Sequence, residues 1–154
     1  GGLLGGHISI DRHGPICPCG NRGCLELYCS ATALHKRVNE AHPGLASEGG
    51  DVLAKFFCKV GKGDEQFSAL FRAIIDDMAV GIVNVIHAYA PDVVVLGGGV
   101  MASASVIVPP LTAEVHRMAW TVPRKKVQIK AALLGNTAAA LGVAFHPTLP
   151  VSEP

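Results

Sequence analysis

Apolar positions recur at helical spacing most strongly between Phe67 and Ile86. Phe67, Leu70, Phe71, Ile74, Ile75 and Met78, continued by Ile82, Val85 and Ile86, fall on one stripe. That periodicity predicts a long helix with one buried face, ending before Ala90-Pro91. Upstream, the pattern is helical from Cys24 to about Ala41 and stops at His42-Pro43-Gly44. Ser30 is a capping residue inside that stretch, so it reads as one helix or as two short ones. Leu45 to Gly50 reads as a polar connector and Val52 to Val60 as a short helix, broken by Gly61-Lys62-Gly63-Asp64.

Two other segments carry strand patterns. Val93-Val94-Val95-Leu96 has no polar face and runs into Gly97-Gly98-Gly99, as expected of a parallel strand buried on both sides. A helix is expected from about Val108 to Met118, then a second strand near Val127 to Ala131. Gly135-Asn136-Thr137 opens an Ala-rich helix ending near His146-Pro147, and Thr148 to Pro154 reads as a loose tail. Near the start, Gly6 to Ile10 is a short strand candidate, and Asp11 to Gly23 is turn chemistry throughout. Strand and helix alternate without internal repeats, which predicts an α/β layer containing a parallel strand pair.

The 154 residues suit one compact domain or the larger part of a bilobed one. With 49% apolar and 16% charged residues, a core can be buried, which excludes a disordered tail. The net charge of +1 gives no basic surplus for a polyanion, and Arg124-Lys125-Lys126 reads as a solvated loop. No apolar run reaches the roughly 18 residues of a membrane span, and no signal peptide is visible. The chain opens on Gly1-Gly2 without an initiator Met, the beginning expected of a fragment or processed piece.

Five cysteines are an odd number, and Cys17, Cys19 and Cys24 crowd into eight positions. A secreted disulfide framework would be even and dispersed, so a metal site in a reducing, cytoplasmic setting fits better. Cys29 and Cys58 lie in apolar-periodic segments and read as buried thiols. Three thiolates with one imidazole match a closed tetrahedral zinc site. His7, beside the Gly-rich loop, is preferred as fourth ligand, although His13 is nearer in sequence. A closed ligand set makes the zinc structural, since a catalytic zinc keeps a position open for water. Two residues past the last thiolate, Glu26 stands at a helix start, where a carboxylate is favoured electrostatically whatever its function. Gly97-Gly98-Gly99 follows a strand, where open α/β sheets bind ligands, but it is neither a dinucleotide fingerprint nor a phosphate loop.

Together these residues resemble the ROK family, named for repressors, open reading frames and sugar kinases. The family's stretch Gly-His, some ten residues, then Cys-x-Cys-Gly-x-x-Gly-Cys-x-Glu is similar to Gly6-His7 and Cys17-Pro18-Cys19-Gly20-Asn21-Arg22-Gly23-Cys24-Leu25-Glu26. Pro91 to Val100 resembles its adenosine-binding strand and turn, and Gly135 to Ala144 its closing helix. The resemblance implies an actin-like (ribonuclease-H-like) ATPase lobe with a zinc-knuckle insertion. Residues 1–147 would form the carboxy-terminal lobe, with the knuckle at 7–26 and a tail at 148–154. It implies zinc on His7, Cys17, Cys19 and Cys24, sugar on His7 and Glu26, and nucleotide against Gly97, Gly98 and Gly99. ATP with Mg²⁺ would be the cofactor and a homodimer the usual assembly.

The chain departs from the family in two places. A Glu three residues before the Gly-His histidine is replaced by Leu4, which should alter or weaken sugar choice. The Asp-x-Gly-x-Thr phosphate loop and the general-base Asp are missing; Asp76-Asp77 falls in a helical run and reads as helix surface. The expected function is therefore an ATP-dependent kinase of a hexose or related sugar, with the isolated chain inactive. A sugar-responsive repressor that binds DNA, or a non-catalytic zinc-stabilised module, are the alternatives.

Overall fold

A computed structural model of the chain describes residues 5–119 and 127–145. Leu4, the Arg124-Lys125-Lys126 run and the 148–154 tail lie outside the described residues. The predicted stretch from Cys24 to Ala41 is two helices, α1 (Glu26–Cys29) and α2 (Ala31–Ala41). Ser30 separates them, its hydroxyl accepting the Ala33 N–H at 3.2 Å as the cap of α2. The expected stop at Pro43 is instead the start of α3 (Pro43–Ser47), so part of the predicted connector is helical. Proline without an N–H loses nothing in a first helical turn, where that donor has no partner anyway.

Asp51 caps α4 (Val52–Gly61) by accepting from the N–H groups of Leu53 and Ala54. The long helix α5 (Ser68–Tyr89) covers 22 residues, and Ile74, Ile75, Met78, Ile82, Val83 and Ile86 on it are buried as the stripe predicts. Ala90 ends it in the left-handed region at φ 46°, an unusual conformation for a residue with a Cβ. Strand β1 (Val93–Leu96) follows, then a tight turn at Gly99–Ser103, helix α6 (Ala104–Met118), strand β2 (Gln128–Ala131) and helix α7 (Ala138–Phe145). Helix α6 starts four residues before the predicted Val108, so Pro109 and Pro110 lie inside it.

The strands pair in parallel, with Val93 opposite Gln128 and Leu96 opposite Ala131, as the alternation predicts. The expected burial of β1 on both faces is not observed. Val93 and Val95 are exposed while Val94 and Leu96 are half-buried, because among the described residues nothing covers the Val93–Val95 face. The expected Gly6–Ile10 strand is not formed: Gly5–His7 is a single helical turn and the rest contributes one isolated antiparallel bridge, Ser9 with Cys24, while a second bridge, Ile16 with Arg22, lies in the turn-rich loop. The core lies between α2, α4, α5 and α6, built on Phe56, Phe57, Ile74, Ile86, Ile107 and Leu111. Edge-on contacts of Phe56 with Phe57 and Phe67 close its α4 end.

Candidate functional site

The loop from His7 to Cys24 folds into a knuckle pinned by short backbone bonds. Ile10 N–H donates to Gly23 C=O, Cys17 N–H to Asn21 C=O and Gly23 N–H to Pro15 C=O, each at 2.8 Å. Two long-range side-chain bonds close it: Asn21 Nδ2 to His7 C=O at 3.1 Å and Arg22 Nη1 to Gly14 C=O at 3.0 Å. Gly23 has φ +63°, and any Cβ there would overlap the Asp11 carbonyl. Glycine lets these two backbones meet.

This folding gathers His7, Cys17, Cys19 and Cys24, whose ligand atoms all lie within 4.8 Å of one another. Cys17 Sγ is 3.5 Å from His7 Nδ1, and Cys19 Sγ is 3.6 Å from Cys24 Sγ. A tetrahedral ion with bonds of about 2.3 Å to sulfur and 2.0 Å to nitrogen sets its ligands roughly 3.5–3.8 Å apart. The donor set and spacing therefore fit zinc. All five cysteines are free. Cys17 and Cys24 are buried, and burial followed by the neighbouring thiols pushes Cys24 up to about 12. His13 is exposed and outside the cluster, so the geometry favours His7.

The other ring nitrogen of His7 faces away from the thiols: Nε2 stands 3.3 Å from Glu26 Oε2. The Glu26 side chain is half exposed, so its carboxylate has room for a polar ligand. Helix α1 is docked by Leu25, which enters a notch on α5 made by Gly81; a Cβ on Gly81 would come within 2.5 Å of the leucine Cδ2. A cavity of about 530 Å³ lies between this helix and β1, lined by Gly5, Gly6, Leu25, Met78, Leu96 and Gly97–Gly99 among others. The glycine triplet also borders a smaller cavity of about 190 Å³ with Ala132, Leu133 and Gly135. The larger cavity thus joins the glycine triplet to Gly6 and Leu25, the chain neighbours of His7 and Glu26, while Glu26 and the four candidate ligands do not themselves line it.

Three residues depart from what the pattern predicts. Cys58 is exposed, not buried, because it faces away from the Leu53, Phe56 and Phe57 side of α4. Cys29 is half-buried on the cavity wall, and burial pushes its thiol up to about 12. Asp76 is exposed as expected of a helix surface, but Asp77 accepts from Arg37 Nη1 at 2.7 Å and is only 28% exposed. Arg37, Asp77, Tyr28 and Asp11 were not among the candidate residues. The one signal for Asp77 was its place beside Met78 on the edge of the apolar stripe.

The ROK family model matches residues 2–146. The chain belongs to the ROK family. It is 29% identical to a glucokinase of Thermotoga maritima over 119 residues, covering 71% of this chain and 38% of that protein. It is 28% identical to the xylose repressor of Bacillus subtilis over 139 residues, covering 90% and 34%. Among solved structures, a ROK family glucokinase from Streptomyces griseus in complex with glucose and AMPPNP superposes with a TM-score of 0.75 at 27% identity. That match covers 90% of this ROK chain and 49% of the glucokinase. The chain therefore spans less than half the length of these relatives. No helix among the described residues is long and apolar enough to cross a membrane.

Proposed function

We propose that the full-length gene product is an ATP-dependent kinase of a hexose or related sugar. In this reading residues 1–147 are its carboxy-terminal, actin-like lobe, acting in a cytoplasmic homodimer. The observation that carries the reading is the His7 ring, clustered with three thiols and with Nδ1 beside Cys17 Sγ, while its Nε2 stands beside the Glu26 carboxylate. A structural zinc on His7, Cys17, Cys19 and Cys24 would hold that ring and leave no position open for water. Glu26 would accept hydrogen bonds from sugar hydroxyls, with His7 Nε2 beside it as a second polar contact. Gly97, Gly98 and Gly99 would let the adenosine approach the backbone. Mg²⁺, when bound with ATP, supplies charge neutralisation on the phosphates. The general-base Asp would come from the rest of the full-length protein. Leu4 in place of a hydroxyl acceptor would shift sugar choice.

Coupled phosphorylation assays of the full-length gene product with ATP and a panel of aldohexoses, N-acetylated hexosamines and pentoses test this. Transfer to one class is expected. Glu26→Gln should raise KM for that sugar about tenfold or more through loss of a charged acceptor, with KM for ATP little changed. Absence of transfer to every sugar would overturn the kinase reading. The match to a xylose repressor over 90% of the chain supports a sugar-responsive regulator as the second reading, in which case sugar binding would change affinity for DNA. Zinc binding without either property would leave the non-catalytic module.

A further inference from the structure

Glu26 sits on α1, a helix of four residues whose flanking Leu25 makes no side-chain cap. One helical turn does not hold its own geometry in water. Leu25 in the Gly81 notch anchors the start of the turn, and two polar side-chain brackets add what the helix itself lacks. Tyr28 Oη donates to Asp11 Oδ2 at 3.1 Å. Asp11 is itself fixed: its Oδ1 accepts the His13 N–H at 2.8 Å and its carbonyl the Gly14 N–H at 3.1 Å. From the other direction, Arg37 Nη1 donates to the Tyr28 carbonyl at 3.0 Å and to Asp77 Oδ2 at 2.7 Å. The Arg37 and Asp77 side chains are only 22% and 28% exposed. A charge-assisted bond sheltered in this way is firmer than one in open solvent. Tyr28 thus ties α1 to the knuckle through its hydroxyl and to α2 and α5 through its carbonyl.

We propose that Tyr28 and Arg37 are positioning residues for Glu26. This rests on the reading of Glu26 as the sugar-binding carboxylate. Tyr28 lies two positions after Glu26, so their side chains leave α1 about 200° apart and Tyr28 acts through the helix backbone. Productive binding geometry tolerates displacement of only about 0.5 Å. Releasing either bracket lets the single turn shift by that much while the core and the metal ligands stay in place.

The test is steady-state phosphorylation of D-glucose with ATP by the full-length gene product, for wild type, Tyr28→Phe, Arg37→Met and Arg37→Lys, with zinc content measured on each. Tyr28→Phe and Arg37→Met should raise KM for glucose roughly ten- to a hundredfold, with KM for ATP and zinc content at wild-type values. Arg37→Lys should recover part of the loss, because an ammonium can keep one of the two bonds. Unchanged KM for glucose overturns the proposal. So does a parallel loss of zinc and of affinity for ATP, the mark of a merely structural role. Should Arg37→Met not fold, Tyr28→Phe decides, since it removes one oxygen atom. A wild type that transfers no phosphate to glucose overturns the kinase reading for that sugar alone. The positioning is then decided by the ¹⁵N shift of His7 Nε2, which moves in Tyr28→Phe if Glu26 is displaced and stays at the wild-type value if it is not.

Discussion

Replacing Gly23 by alanine asks whether the backbone of the knuckle, beyond the identity of its ligands, holds the metal. The perturbation has two parts. At φ +63° an L-residue carries the cost of a left-handed backbone, about 1–2 kcal/mol. The new Cβ would also overlap the Asp11 carbonyl oxygen and stand 2.7 Å from its carbon. Both are backbone atoms, which cannot swing aside as a side chain can, so the two sides of the knuckle must part. Parting breaks the 2.8 Å bonds from Ile10 N–H to Gly23 C=O and from Gly23 N–H to Pro15 C=O. Each is worth about 1 kcal/mol. Gly20 supplies the control: it sits at φ +90° with nothing within 4 Å of a Cβ, so Gly20→Ala carries the backbone cost alone. The two variants should therefore differ by about 2 kcal/mol, or near thirtyfold in zinc dissociation constant. Competition against a chromophoric chelator at one fixed pH measures both, the pH held because protons compete with the metal for the thiols. Equal affinities would refute the reasoning, since the Asp11–Gly23 approach would then place no constraint on the ligands.

Gly81→Ala sets two effects against each other. A helix-interior alanine gains about 0.5–1 kcal/mol over glycine, whereas crowding Leu25 costs about 1–3 kcal/mol. A net loss is expected, seen as a melting temperature lower by about 2–5 °C; a rise would mean that Leu25 turns away without resistance. At pH 8 iodoacetamide should modify the exposed Cys58 and spare Cys29, whose thiol burial pushes up to about 12 and so keeps protonated. Peptide mapping by mass spectrometry checks this, and comparable labelling of both sites would contradict it.

What was legible in the chain was what local spacing encodes. The α5 stripe needs only the 3.6 period, and it buries Ile74, Met78 and Ile86 where the pattern puts them. The four candidate ligands fall between His7 and Cys24, a span short enough for glycine turns alone to bring them together. Even the break at Ser30 is local, because its hydroxyl caps the residues that follow it. Burial on the strands was not legible in the same way. Val93 and Val95 are as apolar as Val94, but what covers a strand face depends on elements far along the chain, and nothing described covers theirs. Pro43 and Pro110 show the same limit from the other side: proline forbids a donor at one atom, and whether that matters depends on where in the turn it lands.

Glu26 divides along this line. Its place two residues past the last candidate thiolate is read directly from the chain, but spacing alone leaves it a carboxylate favoured at a helix start, and only the resemblance to the ROK family singles it out. How firmly it is held depends on Tyr28, on Arg37 and on Asp77, the last two 40 residues apart and on different helices. No periodicity marks that pair, because a charged residue at the rim of an apolar stripe reads as solvated until its partner's location is known. On the proposed reading, a chain could keep Cys17, Cys19, Cys24 and Glu26 intact and still lose sugar affinity by exchanging Arg37 or Tyr28. If Glu26 is the binding carboxylate, the knuckle motif reports which groups are offered to a ligand, and the bracket around α1 sets the geometry in which they are offered.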